Sequence, residues 1–295
     1  MATGNVVGDP SNADGRRDDR VLLLTRITAG AVIVVLVLAV WILYFYPDTT
    51  DQNFSWTIAP RLTAMALGAG YTMGIYFFLR VLTARRWHSV AIGFLPITAF
   101  TIFMALATIV HADRFHAGAW NFILWSVIYA ITPFLVPFLW WRNQKTAPRA
   151  PSPDERLVPL IVRRVAAAEG VVFILLGVLA FLIPDLAIGV FPWKLTPLTA
   201  RVLAGWAMLP GVGGIVLSLE SRWSSWQVVV ESFTVGVLFF ALALPRAWND
   251  LAPGALGTWI LLAFVVGILV VAPVFYVTMQ SRRVLPSNSA QRGPA

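Results

Sequence analysis

The sequence has no cysteine, so it can form no disulfide, iron–sulfur cluster, Cys-ligated zinc site or thiol nucleophile. Charge is also scarce. Charged residues make up 12% of the chain, where a soluble domain carries about 25%. Walker loops, dinucleotide fingerprints and metalloprotease motifs are all missing, and no Ser/His/Asp set stands out. Histidine occurs only as His88, His111 and His116. These lie at or beside one apolar block, so they cannot face each other across a bundle to hold a haem. His111 and His116 have no second ligand-bearing segment to complete a metal site. The sequence therefore calls for no metal and no cofactor, and all three histidines read as solvated loop residues.

What fills the chain is apolar sequence, 58% of all residues, gathered into blocks near the ~20 residues needed to cross a bilayer. Eight spans can be drawn: 27–46, 62–82, 90–110, 119–141, 161–183, 198–219, 226–244 and 256–278. Lipid offers no partner to an open backbone, and these runs are too long for barrel strands, so the fold class is an all-α polytopic membrane bundle. The block from Ile27 to Tyr46 ends in Leu43-Tyr44-Phe45-Tyr46 and not in small residues, so it reads as a retained first helix. The expected organisation is a disordered tail (1–26), a four-helix unit (27–141), a Pro-rich basic linker (142–160), a second four-helix unit (161–279) and a polar tail (280–295).

The net charge of +8 does not point to nucleic acid, because the basic residues sit between apolar blocks. With eight spans, only Arg61, Arg114, Lys194, Arg201 and Arg246 fall on one side; the other 17 of the 22 Lys and Arg fall on the opposite side. The positive-inside rule places both termini in the cytoplasm and makes membrane lipids the first expected partners. Trp56, Trp120, Trp193, Trp248 and Trp259 near one boundary, and Trp87, Trp140, Trp141, Trp223 and Trp226 near the other, read as aromatic belts.

The two units echo each other. At an offset of 137, Arg26 meets Arg163, Pro47-Asp48 meets Pro184-Asp185, and Phe54, Trp56 and Pro60 meet Phe191, Trp193 and Pro197. At 136, Thr63-Ala64 meets Thr199-Ala200, Arg86-Trp87 meets Arg222-Trp223, and Pro137 meets Pro273. A near-constant offset over so long a stretch marks a duplication. Each unit has an even number of spans, so the two would be parallel repeats about an axis along the membrane normal.

Few residues could carry chemistry. Thr196-Pro197 reads as an N-cap followed by proline at the first helical position. Arg201, one turn in, opposes the helix dipole and needs an anionic or polar partner. Asp185 is the nearest in sequence, with Asp48 and Arg61 in the corresponding places of the first unit. This cluster serves either as a loop–helix clamp or as a site for an anionic headgroup or solute. Glu169 and Glu231 lie within spans, roughly 7–8 Å beyond one end at 1.5 Å per residue, with Val32 and Leu95 in their places in the first unit. They either face each other as a proton or cation site or pair with an arginine such as Arg80 or Arg222. Pro210-Gly211, followed by Gly213-Gly214, reads as a mid-membrane helix break of the kind that marks transporter sites. Gly68, Gly70 and Gly74 read as a close-packing face.

The segment from Phe191-Pro192-Trp193 through Leu195-Thr196-Pro197-Leu198-Thr199-Ala200-Arg201, followed by Gly205-Trp206 and Leu209-Pro210-Gly211, resembles a recurrent segment of uncharacterised bacterial multi-pass membrane proteins. The first unit departs from it, with Ala59 for the threonine and the arginine at position 61. The resemblance implies a bacterial cytoplasmic membrane and no particular activity. Three functions fit this reading: transport or handling of a small molecule or anionic lipid at the repeat interface, a non-transporting subunit bound to a protein partner, and, third, a membrane-embedded lipid enzyme.

Overall fold

A computed structural model describes residues 18–148, 152 and 154–281. Residues 1–17 and 282–295 of the expected tails, and positions 149–151 and 153 of the linker, lie outside the described residues; the end of the first tail, expected to be disordered through residue 26, is instead packed at Asp19 and Val21 and helical from Leu23. The described chain contains eight helices long and apolar enough to cross a membrane: α1 (Leu23–Phe45), α2 (Arg61–Thr83), α3 (His88–Val110), α4 (Trp120–Gln144), α5 (Leu160–Leu182), α6 (Pro197–Leu219), α7 (Trp223–Arg246) and α8 (Leu256–Ser281). Each overlaps one expected span, with bounds that agree to within about four residues. These eight helices support a multi-pass membrane protein, and no strand is present among the described residues.

The helix starts follow local chemistry. α6 begins at Pro197, and the Thr196 hydroxyl accepts from the Thr199 amide at 3.2 Å. α2 follows Pro60, and its free Leu62 amide donates to Asp250 on the α7–α8 loop at 2.8 Å. Without a hydrophobic drive between helices in hydrocarbon, close contact depends on small residues. α5 and α6 make the tightest pair. A Cβ on Gly170 would lie 2.7 Å from the Gly211 carbonyl oxygen, and one on Gly214 would run into the Ala166 carbonyl. Gly68 lets the α1 backbone at Tyr44 approach α2, Gly74 lies against Leu36, and Gly70 lies against Trp206 of α6. The helices pack as α1 on α2, α3 on α4, α5 on α6 and α7 on α8, with α2 on α7 and α3 on α6 joining the two sets.

Two expectations need correction. α6 is not broken at Pro210-Gly211: it is helical from Pro197 to Leu219. Gly211 is used for packing, facing Ile174 and Gly170 of α5. The tryptophan belts are only partly belts. Trp120, Trp141, Trp248 and Trp259 are exposed, but Trp56, Trp87, Trp193, Trp223 and Trp226 are buried. Trp56 packs edge-on against Phe54 and Trp125, with ring centroids at 4.9 and 5.0 Å. Trp193 donates its indole N–H to the Thr63 hydroxyl of α2 at 2.8 Å. The Phe-x-Trp loops therefore brace the bundle from inside.

Because α5 and α6 touch backbone to backbone at Gly214, Gly214→Leu should force them apart and cost at least about 2 kcal/mol. Gly267→Leu, on α8 with open space around it, should be nearly neutral. Thermal unfolding of the two variants in detergent checks the difference.

Candidate functional site

The two acids within the long apolar helices have separate environments. Glu231 on α7 lies in a filled polar knot. Arg80 of α2 donates to it at 2.5 Å, and Tyr76 of α2, Gln227 of α7 and Tyr276 of α8 each donate at 2.9 Å. Arg80 also reaches the Tyr76 hydroxyl at 3.3 Å. The knot joins three helices and uses the carboxylate fully. Arg222, the other arginine considered for these acids, holds Glu220 in a bidentate pair at 2.6 and 3.0 Å.

Glu169 on α5 does not face Glu231 and reaches no arginine. Among the described residues it has no hydrogen-bond or ion-pair partner, and it is exposed. It borders a cavity of about 790 Å³ that reaches residues on all eight helices. The spacing on α5 explains its position. Val162, Val165, Ala166 and Glu169 recur at helical intervals and line the cavity, while Gly170 and Gly177 on the adjoining face contact α6. Elsewhere the lining is overwhelmingly apolar. α1 contributes Val32, α4 Ile131 and α8 Val271, and Glu169 is the one charged residue among those that line the cavity. α1 with α4, and α5 with α8, are not among the extensively packed helix pairs, yet all four helices line the cavity; the two pairs touch through side chains, Asn143 donating to the Thr25 hydroxyl at 2.6 Å and Phe173 lying 6.4 Å from Phe264.

At the opposite end of α6, Arg201 does not pair with Asp185. It donates to the Phe181 carbonyl at 2.9 Å and to His111 Nε2 at 2.8 Å, and lies over the Phe181 ring at 5.8 Å. Asp185 sits on a separate short helix, Pro184–Val190, with its side chain exposed and no partner among the described residues. That helix starts at Pro184, directly after α5, and carries Asp185 away from Arg201. In the first half the corresponding pair does form, with Arg61 and Asp48 at 3.4 Å on the surface. Burial, and then the Arg201 charge, push the His111 imidazole below the usual histidine value, while Asp113 pulls it the other way. A neutral ring is what Arg201 needs as an acceptor.

The histidines are not simply solvated. His116 bonds the Phe54 carbonyl at 3.0 Å and approaches the Thr57 hydroxyl at 3.3 Å. His88 is buried. Its Nδ1 meets the Asp19 carboxylate and its Nε2 lies 3.2 Å from the Ser224 hydroxyl. The order Asp–His–Ser is that of a nucleophilic relay, but the remaining contacts are structural. The second Asp19 oxygen caps the His88 amide at 3.0 Å, and the Ser224 amide, where an oxyanion would need a donor, is held by Glu155 at 3.1 Å. This chain is a latch between the segment before α1, the start of α3 and the start of α7. Sequence reading missed it because its members stand 69 and 136 residues apart.

No protein-family model, curated protein or solved structure matches the chain.

Removing Arg80 would leave Glu231 with neutral donors only. Arg80→Met should cost about 2 kcal/mol, less than a fully buried pair because the arginine is partly exposed. Arg80→Met with Glu231→Gln should recover most of that loss, as read by chemical denaturation in detergent. For His111 the folded value is depressed, so the stability it contributes is present above the unfolded value and is lost as pH falls through the folded one. The thermal stability of the wild type relative to His111→Gln, which keeps an acceptor and does not titrate, should therefore decline as pH drops below about 6.5.

Proposed function

We propose that the chain is a multi-pass protein of the bacterial cytoplasmic membrane, built from two four-helix repeats, that transports or handles a lipid or small apolar molecule in the crevice between them. The observation that carries this reading is the cavity itself, an apolar space of about 790 Å³ with a single unpaired carboxylate on its wall. Its size lies within the ~300–1,000 Å³ of small-molecule sites. The thinly packed α1–α4 and α5–α8 seams are where a membrane-dissolved ligand would enter.

Several contacts support the repeat. Exchanging each helix for the one four places on turns α1 on α2 into α5 on α6, α3 on α4 into α7 on α8, and α2 on α7 into α6 on α3. Single bonds follow the same offsets. Arg26 donates to the Leu82 carbonyl, and Arg163 donates to Ser218 at 2.8 Å. The Trp87 amide donates to Asp19 at 2.6 Å, and the Trp223 amide to Arg156 at 2.8 Å. Tyr44 meets Phe239 edge-on at 5.5 Å, as Phe181 meets Phe103 at 5.0 Å. Val32 and Glu169, counterparts at an offset of 137, both line the cavity. The end rich in arginine, with Arg26, Arg80, Arg163 and Arg222, is assigned to the cytoplasm by the positive-inside rule.

In this reading Arg201 with His111 is a clamp at the outer end of α6, Glu231 holds α2, α7 and α8 together, and Glu169 alone is left for a ligand. The alternative is a non-transporting subunit. Native mass spectrometry of the protein taken gently from its own membrane separates the two. One retained lipid or small molecule per chain, lost when Ala272→Trp fills the crevice from α8 while the protein stays folded, is the expected result. A stoichiometric protein partner without any ligand would overturn it in favour of the subunit.

A further inference from the structure

The crevice has one chemical asymmetry, and it selects among apolar ligands. A carboxylate in a low-dielectric wall is costly unless it is neutralised or paired. Glu231 shows how this chain pairs such a group, with an arginine and three neutral donors. Glu169 is given none of these. Its nearest basic neighbours on α5 are Arg163, whose side chain is turned to the Ser218 carbonyl at 2.8 Å, and Arg164, which lies five positions back, outside the i±3 and i±4 reach that brings helical side chains together. On α6, the helix packed against α5, Arg201 is committed to Phe181 and His111 at the far end. The compensating charge is therefore missing from the protein side of the site.

A proton can neutralise the group without any ligand; for a bound ligand, two kinds of cation could supply the charge. A hard metal ion takes six or more oxygens for calcium and near-octahedral oxygen coordination for magnesium. Among the described residues no group of three His, Cys, Asp or Glu side chains is placed to hold a metal, and Glu169 is the one charged side chain on the cavity wall. An organic ammonium needs only one carboxylate and an apolar surface for the rest of the molecule, and the lining also includes the aromatic residues Trp226, Phe233 and Phe275, a residue type that attracts cations.

We propose that the crevice binds an amphiphile with a cationic amine head, its ammonium on Glu169 and its apolar body along the wall between α5 and α8. This rests on the crevice being a ligand site, and it names the class of ligand. The same chemistry has two sources: the ammonium of an aminophospholipid, whose chains are already in the bilayer, and a free lipophilic amine.

The test uses the full chain in dodecyl maltoside, whose head is uncharged, with radiolabelled dodecyltrimethylammonium and dodecanol as a matched cationic and neutral pair. We expect about one dodecyltrimethylammonium per chain, bound roughly tenfold more tightly by the wild type than by Glu169→Gln, in line with one charge–charge contact, which needs no N–H. Dodecanol should bind both proteins alike, which also shows that the variant keeps its crevice. Equal binding of the cation to wild type and Glu169→Gln, with dodecanol still bound, would overturn the proposal and leave the crevice reading standing. Failure of both probes to bind either protein, or their indifference to Ala272→Trp, would overturn the crevice reading as well. With the proposal upheld, displacement of dodecyltrimethylammonium by phosphatidylethanolamine but not by phosphatidylglycerol identifies the lipid as the source. Lack of displacement by either identifies a free amine.

Discussion

A helix surrounded by hydrocarbon gains nothing from water by touching its neighbour, so each contact in this bundle has to be made by shape or by a polar group. Most of the structure follows from that constraint. Gly170, Gly211 and Gly214 bring α5 and α6 to backbone contact, where dispersion is collected over the full length of two helices. The same need explains why α2 and α6, which carry the small residues Gly68, Gly70, Gly205 and Gly213, are among the helices richest in buried residues. α8, whose one extensive partner is α7, is mostly exposed. Small side chains make the closest helix contacts, and bulky buried ones such as Trp87, Phe94, Leu62 and Met104 fill the space around them.

Polar groups obey the constraint in two ways. Glu231 is surrounded until its carboxylate has no lone pair to spare, and the cost of burying it is offset by a contact that joins three helices. Arg201 meets the same demand with no acid at all: a carbonyl and a histidine ring nitrogen accept its hydrogen bonds. Glu169 departs from the pattern. One residue away from Gly170, it lies on the neighbouring face of α5, so the close packing that seals the glycine against α6 is what turns the acid toward open space. Tight contact on one side of the helix and an unpaired charge on the other are a single geometric fact.

The sequence made the helices legible because hydropathy over about 20 residues is a bulk property that neighbours cannot change. Helix positions, the Thr196-Pro197 start of α6 and the packing glycines of α2 could all be read from local chemistry. What could not be read was partner choice. Asp185 stands 16 positions from Arg201 in the chain, yet His111, 90 positions away, takes the arginine, since a short helix carries the acid aside. Pro210 looked like a break because proline removes a backbone donor, but the helix persists and its glycines are spent on α5. The tryptophans misled for a related reason: an indole at an apolar boundary suits both lipid and a loop core, and composition does not separate them. Of the candidate site, the residue type of Glu169 and its place within a long helix were visible, and its isolation was not.

The Asp19–His88–Ser224 latch has a consequence for how the chain is made. Its acid leaves the ribosome first, its histidine follows within the same half, and its serine belongs to the second half. At about 5–20 residues per second, roughly 10–40 s separate Asp19 from Ser224. Over that interval Asp19 and His88 have no Ser224 to meet, and the set is complete only once the start of α7 has been made. The latch therefore ties the start of α7 to two segments made before it, joining the first and second halves of the chain at one point. A chain stalled before α7 would carry an unfinished buried acid and imidazole at the membrane surface, a chemical mark of incomplete assembly.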